Sequence, residues 1–144
     1  MDSTERSPKI SLVIPAYNEE TAIDAVLKDV RAVMDGLGTP YEVLVIDDGS
    51  TDHTPRVLAD WSARYPELRV LTFVRNAGQT AAFHAGFRAA RGEIVVTMDG
   101  DGQNDPGDIP TLIEKTKEYD AAFGIRVKRQ DSAAKLFASR VANR

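Results

Sequence analysis

Apolar positions along this chain form short continuous runs that alternate with longer stretches in which apolar residues recur every three or four positions. The continuous runs are bounded by Pro, Gly or charged residues, and they predict strands at 9–15, 41–47, 68–74 and 93–98, with a fifth expected at 120–126. The periodic stretches predict helices at 19–34, 54–65, 81–91 and 109–118. Strands that are apolar throughout and alternate with helices are typical of a parallel sheet covered on both faces. We therefore predict an α/β fold of Rossmann-like type, with a mostly parallel sheet and helices on both sides.

Polar residues gather in the loops that follow the predicted strands. In chain order these loops contain PAYNEE, DDGSTDHT, RNAGQT and DGDGQNDPGD. Ligands of open parallel sheets bind beyond the carboxyl ends of the strands, so a binding site is expected among these loops. The first loop lacks the glycine fingerprint of the common dinucleotide-binding pattern, and its absence excludes that class of site.

Three of the four loops also have a purely structural explanation. Asn18 is placed to cap the first helix, and Asp52 or Thr54 to cap the second. The third loop precedes a helix whose free N–H groups could face a diphosphate, with Arg75 near the nucleotide, but a cap and a surface arginine explain it equally well. His84, alone in an Ala-rich helix, is expected to be a packing or surface residue rather than a catalyst.

The fourth loop carries the strongest chemical signal. Asp99 and Asp101 flank a glycine directly after a strand, and Gln103 offers a third oxygen. Mg²⁺ is usually held by one or two carboxylates together with substrate phosphates, so the pattern predicts a divalent-cation site. A calcium-binding loop is excluded because Asn104 stands where that loop requires Gly and Pro110 where it requires Glu. A solvated acidic turn is the simpler alternative.

Composition and charge narrow the possible classes of protein. The 144 residues have the size and composition of one globular domain, with no Cys for disulfide or thiol chemistry. No apolar run approaches the roughly 20 residues that span a bilayer, and the polar residues 1–8 are expected to be a disordered tail. Helical spacing continues to Arg144 without a stop signal, so we expect the chain to be part of a longer protein.

The charge is unevenly distributed along the chain. The net charge is −4, yet residues 125–144 contain six Lys or Arg and one Asp. An acidic body with a basic tail suggests that the tail meets an anion such as a phosphate or a lipid surface. A solvated basic helix explains the same charge equally well.

Taken together, the loops resemble those of family 2 glycosyltransferases of the GT-A fold. The segments that carry the resemblance are IPAYNEE, VIDDGSTDHT, RNAGQTAAFHAGFRAARGE and MDGDGQNDP, in that order. They look most like the polyprenyl-phosphate branch, which includes dolichyl-phosphate mannosyltransferase and the bacterial relatives that load undecaprenyl phosphate. The D-x-D-x-Q-N-x-P form and a GIR followed by a basic helix are typical of that branch.

The resemblance implies a role for each matching residue. The residues implied to bind the nucleotide are Pro15, Tyr17, Glu19, Asp47, Asp48 and Asp99, with Asp48 at the base or ribose and Asp47 supporting its loop. The implied metal ligands are Asp99, Asp101 and Gln103, with Mg²⁺ or Mn²⁺ as the cation. The implied catalytic residues are Asp101, Arg126 and Arg140, the two arginines near the acceptor phosphate, with Lys135 and Ser139 as weaker candidates.

The reaction that the resemblance implies is an inverting transfer from a GDP- or UDP-sugar to a lipid phosphate. Residues 9–124 would form the nucleotide-sugar-binding domain, and residues 125–144 the beginning of an acceptor-side basic helical region. A phosphate monoester with a second pKa of about 6 is largely dianionic near neutral pH, so it needs no general base, whereas a hydroxyl acceptor would need one. The full-length protein would act at the cytoplasmic face of a membrane, with no nucleic-acid partner.

Two other classes of protein compete with this interpretation. A phosphatase of the haloacid dehalogenase type would use Asp99 as nucleophile and Asp101 as acid, but it places this motif early in the chain and needs a later Lys. A sugar-nucleotide-binding module without catalytic activity would carry the same loops.

Overall fold

A computed structural model describes residues 7–125 of the chain. The strands are β1 (Ile10–Ala16), β2 (Tyr41–Asp47), β3 (Leu68–Thr72) and β4 (Ile94–Thr97). The helices are α1 (Ile23–Gly36), α2 (Thr54–Ser62), α3 (Gln79–Ala89) and α4 (Ile109–Lys115), the last preceded by a 3₁₀ turn at Pro106–Asp108. Most of the predicted N-terminal tail and nearly all of the predicted basic region lie outside the described residues, together with Arg126, Lys135, Ser139 and Arg140.

The four strands form one parallel sheet in the order β3-β2-β1-β4. Ile10 of β1 pairs with Tyr41 on one side and Ile94 on the other, so the strands start nearly level. Every residue of β1 is buried, as is every residue of β2 after its first. Burial on both faces is the physical reason for the continuous apolar runs, and the predicted parallel sheet is confirmed.

Helices cover both faces of this sheet. On one face the side chains of Leu12 and Val43 pack with buried residues of α1, α2 and α4. On the other face Val13 and Leu44 pack against Ala82 of α3. Helix α3 lies very close to the sheet, since a Cβ added at Gly86 would overlap the Val13 side chain.

The first helix begins later than predicted, and Asn18 does not cap it. Helix α1 starts at Ile23, whereas Asn18 has a φ of 52° and lies in the loop before it. The Asn18 side chain instead accepts hydrogen bonds from the backbone N–H groups of Thr51 and Asp52. The Asn18 side chain therefore joins two loops instead of capping a helix. At the second helix the cap position is His53, whose side chain makes no capping bond, so neither Asp52 nor Thr54 is the cap residue. Asp52, one residue earlier, accepts from the Thr54 N–H.

Several other elements were predicted too long. Strand β3 stops at Thr72, two residues before Val74, which is fully exposed, and α2 stops at Ser62. The predicted fifth strand was wrong for the part of it that the structure describes, since residues 120–125 form neither strand nor helix. Within residues 7–125, no helix is both long enough and apolar enough to cross a membrane.

Candidate functional site

The polar loops at the carboxyl ends of the strands enclose a pocket of about 440 Å³, which we call the donor pocket. Six of its lining residues were predicted from the sequence: Pro15, Tyr17, Glu19, Asp48, Asp99 and Asp101. The others are Ala16, Asn76, Gly78, Gln79 and Gly100. None of these lining residues is Lys or Arg, so the described wall of the pocket carries acidic side chains and no basic one.

The loop after β1 is fastened to the loop after β2. The N–H of Asn18 donates to Ser50 Oγ (3.0 Å) and the N–H of Glu19 to Thr54 Oγ1 (2.9 Å). In return, the N–H of Thr51 donates to Asn18 Oδ1 (2.8 Å). These bonds hold the backbone of Asn18 and Glu19, while Tyr17 lines the pocket and is 44% exposed.

The adjacent acids Asp47 and Asp48 have different surroundings. Asp47 is fully buried and does not line the pocket; its Oδ1 accepts from the Ser50 N–H (3.0 Å), and its Oδ2 has no partner within residues 7–125. Asp47 thus binds the backbone of its own loop, and its predicted role in nucleotide binding stays a prediction.

Asp48 lines the donor pocket but is 3% exposed. Its carboxylate accepts from the N–H groups of Ala77 (2.7 Å) and Gly78 (2.9 Å) and from Asn76 Nδ2 (2.9 Å). The geometry shows Asp48 binding the loop between β3 and α3, and its contact with a base or ribose stays a prediction. Sequence reasoning missed Asn76, whose only signal was its place after a strand.

Asp99 and Asp101 both reach the donor pocket from the end of β4. The N–H of Asp99 donates to Asn104 Oδ1 (3.0 Å), and Gln79 Nε2 donates to Asp99 Oδ1 (2.9 Å). Asp101 is exposed, and its Oδ1 accepts from the N–H of Gln103 (2.9 Å). The two carboxylates predicted to bind metal are thus brought to the same pocket.

Gln103 lies elsewhere. It lines a second, larger cavity of about 1760 Å³ beside β4, which Asp99 also lines. The predicted role of Gln103 as a metal ligand stays a prediction. Among residues 7–125 no three His, Cys, Asp or Glu side chains are grouped so as to hold a metal ion by themselves.

The acids of the donor pocket repel one another. Burial, followed by the negative charges of Asp101, Asp52 and Asp99, raises the pKa of Glu19 above its usual value. No described Lys or Arg lines the pocket to offset these charges. A cation bound here would relieve this repulsion, so the chemistry of the residues fits a divalent metal.

The family is established by comparison with known proteins. Residues 11–140 match the model of glycosyl transferase family 2, and the chain belongs to this family. The match removes the phosphatase alternative. A curated relative is the undecaprenyl-phosphate 4-deoxy-4-formamido-L-arabinose transferase of Shewanella sediminis, 39% identical over 138 residues that cover 94% of this chain and 41% of the relative. The chain thus spans about two fifths of the length of the curated relatives it matches.

Solved structures share the fold. A mannosyltransferase of Pyrobaculum calidifontis, in complex with GDP-Man and Mn²⁺, is 31% identical with a TM-score of 0.58, over 67% of this chain and 28% of that one. Glucosyl-3-phosphoglycerate synthase of Mycobacterium tuberculosis, in complex with UDP, is 29% identical with a TM-score of 0.62, over 78% of this chain and 41% of that one. The predicted GT-A fold is confirmed.

Proposed function

We propose that this chain binds a nucleotide-diphosphate sugar together with a divalent cation, and that the whole protein transfers the sugar to a polyprenyl phosphate with inversion. The observation that carries the proposal is the donor pocket, where Asp99 and Asp101 meet Glu19 and Asp48 at the carboxyl ends of the strands. Relatives named for undecaprenyl phosphate and similar solved structures with GDP-Man or UDP support the two substrate classes.

Asp99 and Asp101 are the residues that would hold the cation. Two carboxylates leave room in the coordination shell for the diphosphate oxygens, which is the usual arrangement for Mg²⁺. A Mg²⁺ or Mn²⁺ held there would offset the negative charge that develops on the departing nucleoside diphosphate. Pro15, Tyr17 and the almost fully buried Asp48 line the pocket, and they are the residues that would contact and orient the nucleotide.

The acceptor side needs positive charge that the described pocket does not supply. Arg126 and Arg140, which lie outside the described residues, are the proposed partners of the acceptor phosphate. A phosphate dianion attacks the anomeric carbon without a general base. We place the reaction at the cytoplasmic face of a membrane, where a lipid acceptor and a soluble nucleotide sugar can meet.

Calorimetric titration tests the donor half of this proposal. UDP and GDP are titrated into the chain with and without Mn²⁺, and one of them is expected to bind in a metal-dependent manner. Asp101→Ala should abolish that dependence, whereas Asp60→Ala, which removes the same charge from an exposed position on α2, should leave it unchanged. Equal binding by both variants would show that the metal site lies elsewhere.

The acceptor half is tested by following nucleotide release from the donor sugar. Release is expected when the full-length protein is given polyprenyl phosphate in detergent, but not when it is given the matching polyprenol. The reverse result would favour a hydroxyl acceptor. Nucleotide binding without transfer to either lipid would favour a non-catalytic binding module.

A further inference from the structure

We propose that Gln79 is a positioning residue that orients the Asp99 carboxylate, and that Asp48 holds Gln79 in place through the loop between β3 and α3. The inference rests on the proposed function because it takes Asp99 as a metal ligand. It adds Gln79, which comes from the start of α3 rather than from the loop after β4. It also gives the buried carboxylate of Asp48 an indirect role in metal binding.

The first step is the contact between the two side chains. Gln79 Nε2 lies 2.9 Å from Asp99 Oδ1. An ionised carboxylate can only accept hydrogen bonds, so Gln79 must turn the N–H side of its amide toward Asp99. With Oδ1 engaged in this bond, the rotation of the carboxylate is restricted and Oδ2 is left for a cation.

The second step is what places Gln79. It is the first residue of α3 and directly follows the three residues whose N–H groups bind Asp48. Gly78, the last of these, has a φ of 94°, a backbone conformation that residues other than glycine rarely adopt. Because Asp48 is almost completely buried, its charge-assisted bonds fix the point at which the helix begins.

The third step concerns the neighbours of this loop. A Cβ at Gly49 would lie 2.5 Å from the carbonyl carbon of Arg75, so the loops after β2 and β3 are in direct backbone contact. The backbone of Asp99 is held separately by Asn104. The side chain and the main chain of Asp99 are therefore oriented by two different amide side chains.

The chemical identity of Gln79 suits this role. A neutral amide donates to the carboxylate without bringing a positive charge that would compete with the cation. A lysine at this position would neutralise Asp99, and a glutamate would repel it. Partners that orient a metal ligand commonly change metal affinity by 10- to 100-fold when they are removed.

The test compares Gln79→Met, which keeps the length of the side chain and removes its N–H groups, with Thr80→Ala, the neighbouring exposed position on α3. The concentration of Mn²⁺ that gives half-maximal nucleotide binding is measured by calorimetry, and bound Mn²⁺ by electron paramagnetic resonance. We expect Gln79→Met to raise that concentration about tenfold, with nucleotide affinity restored at saturating Mn²⁺. Thr80→Ala should behave as the unchanged chain.

Further variants separate this inference from the proposed function. Asn76→Ala, which weakens the hold of Asp48 on the loop, is expected to raise the Mn²⁺ requirement about threefold, in the same direction as Gln79→Met. If Asp99→Ala abolishes metal dependence and Gln79→Met does not change it, the positioning role is wrong and the metal site stands. If Asp99→Ala has no effect, the proposed metal site itself is wrong. A loss of nucleotide affinity in Gln79→Met that saturating Mn²⁺ does not restore would contradict positioning, because it would place Gln79 on the nucleotide.

Discussion

Acidic side chains lie at both ends of the parallel sheet, but the described residues pair them with a cation at one end only. At the amino ends of the strands, Glu42 is 4% exposed and accepts from Ser11 Oγ (2.7 Å), Arg69 Nη1 (2.7 Å) and the Arg91 N–H (2.7 Å). At the carboxyl ends, Glu19, Asp99 and Asp101 line a pocket whose lining residues include no Lys or Arg.

The pKa values of the two glutamates express this difference. Burial alone would raise the pKa of Glu42, but the bonds from Ser11, Arg69 and Arg91 outweigh it and hold the pKa below its usual value. For Glu19, burial and the neighbouring aspartates act in the same direction and raise the pKa. The protein supplies the cation for the structural acid, whereas the acids of the donor pocket are left for a cation from outside.

Removing the cation at the amino end should have the largest effect on stability. Arg69→Met leaves Glu42 buried with an unpaired charge, and Arg69 also binds the carbonyl of Ala89 at the end of α3. We expect the free energy of unfolding to fall by about 3 kcal/mol, measured by urea denaturation at pH 7. Arg56→Met, the same change at an exposed position on α2, should change it by less than about 0.5 kcal/mol. Equal effects of the two variants would mean that the pair at Glu42 is not structural.

The next largest effect is expected from Glu42, whose contribution to stability should depend on pH. A carboxyl group whose pKa is lowered by folding stabilises the folded state above its unfolded pKa of about 4.5, and this contribution is lost as the pH falls through the folded value. Glu42→Gln should therefore cost about 2 kcal/mol at pH 7 and progressively less below about pH 4.5. The measurement is urea denaturation of both proteins between pH 7 and pH 3. A cost that stays constant over this range would contradict the assigned charge.

The sheet could be predicted from the sequence because local pattern and burial agree there. Strand β2 has the bounds that the apolar run 41–47 predicted, since it is central and covered on both faces. The strand-end loops could also be recognised from the sequence, because the carboxyl ends of parallel strands all lie at the same end of the sheet. Six of the predicted residues come together at this end, in the donor pocket.

The contacts between loops could not be read from the sequence. Asn18 carries a capping signal, yet its partners Thr51 and Asp52 lie more than 30 residues away. Asp48 reaches Ala77 because β2 and β3 are neighbours in the sheet. Gln79 reaches Asp99 although β3 and β4 lie at opposite edges, because α3 packs across β1 and β2, the strands between them. Spacing along the chain identifies the residues of such a site, but the partner of each polar group depends on tertiary structure.

At the carboxyl end, removing an acid should have the opposite effect on stability. Asp101→Asn keeps an Oδ1 acceptor for the N–H of Gln103 and removes one of the charges that repel Glu19. We expect the metal-free protein to become more stable by up to about 0.5 kcal/mol, a small gain because Asp101 is exposed. Urea denaturation in EDTA measures it, with Asp60→Asn on α2 as the control. A loss of more than about 1 kcal/mol would assign Asp101 a structural role and remove the contrast between the two ends.

The smallest expected effect is a change in the pKa of Glu19 itself, which can be followed by carbon NMR of the side-chain carboxyl groups. Mg²⁺ with the nucleotide that binds should lower this pKa toward its usual value, because the cation offsets the charges of Asp99 and Asp101. Asp101→Asn should lower it in part, since burial, the largest cause of the shift, remains.

Glu42 provides the control for this titration within the same molecule. Its carboxylate is already neutralised by Arg69 and lies at the opposite end of the sheet, so Mg²⁺ should leave its pKa low and unchanged. If both glutamates respond alike, the cation acts through the folded state as a whole rather than at the donor pocket. A response of Glu19 alone would show that Mg²⁺ binds among the acids of the donor pocket, at the carboxyl ends of the strands.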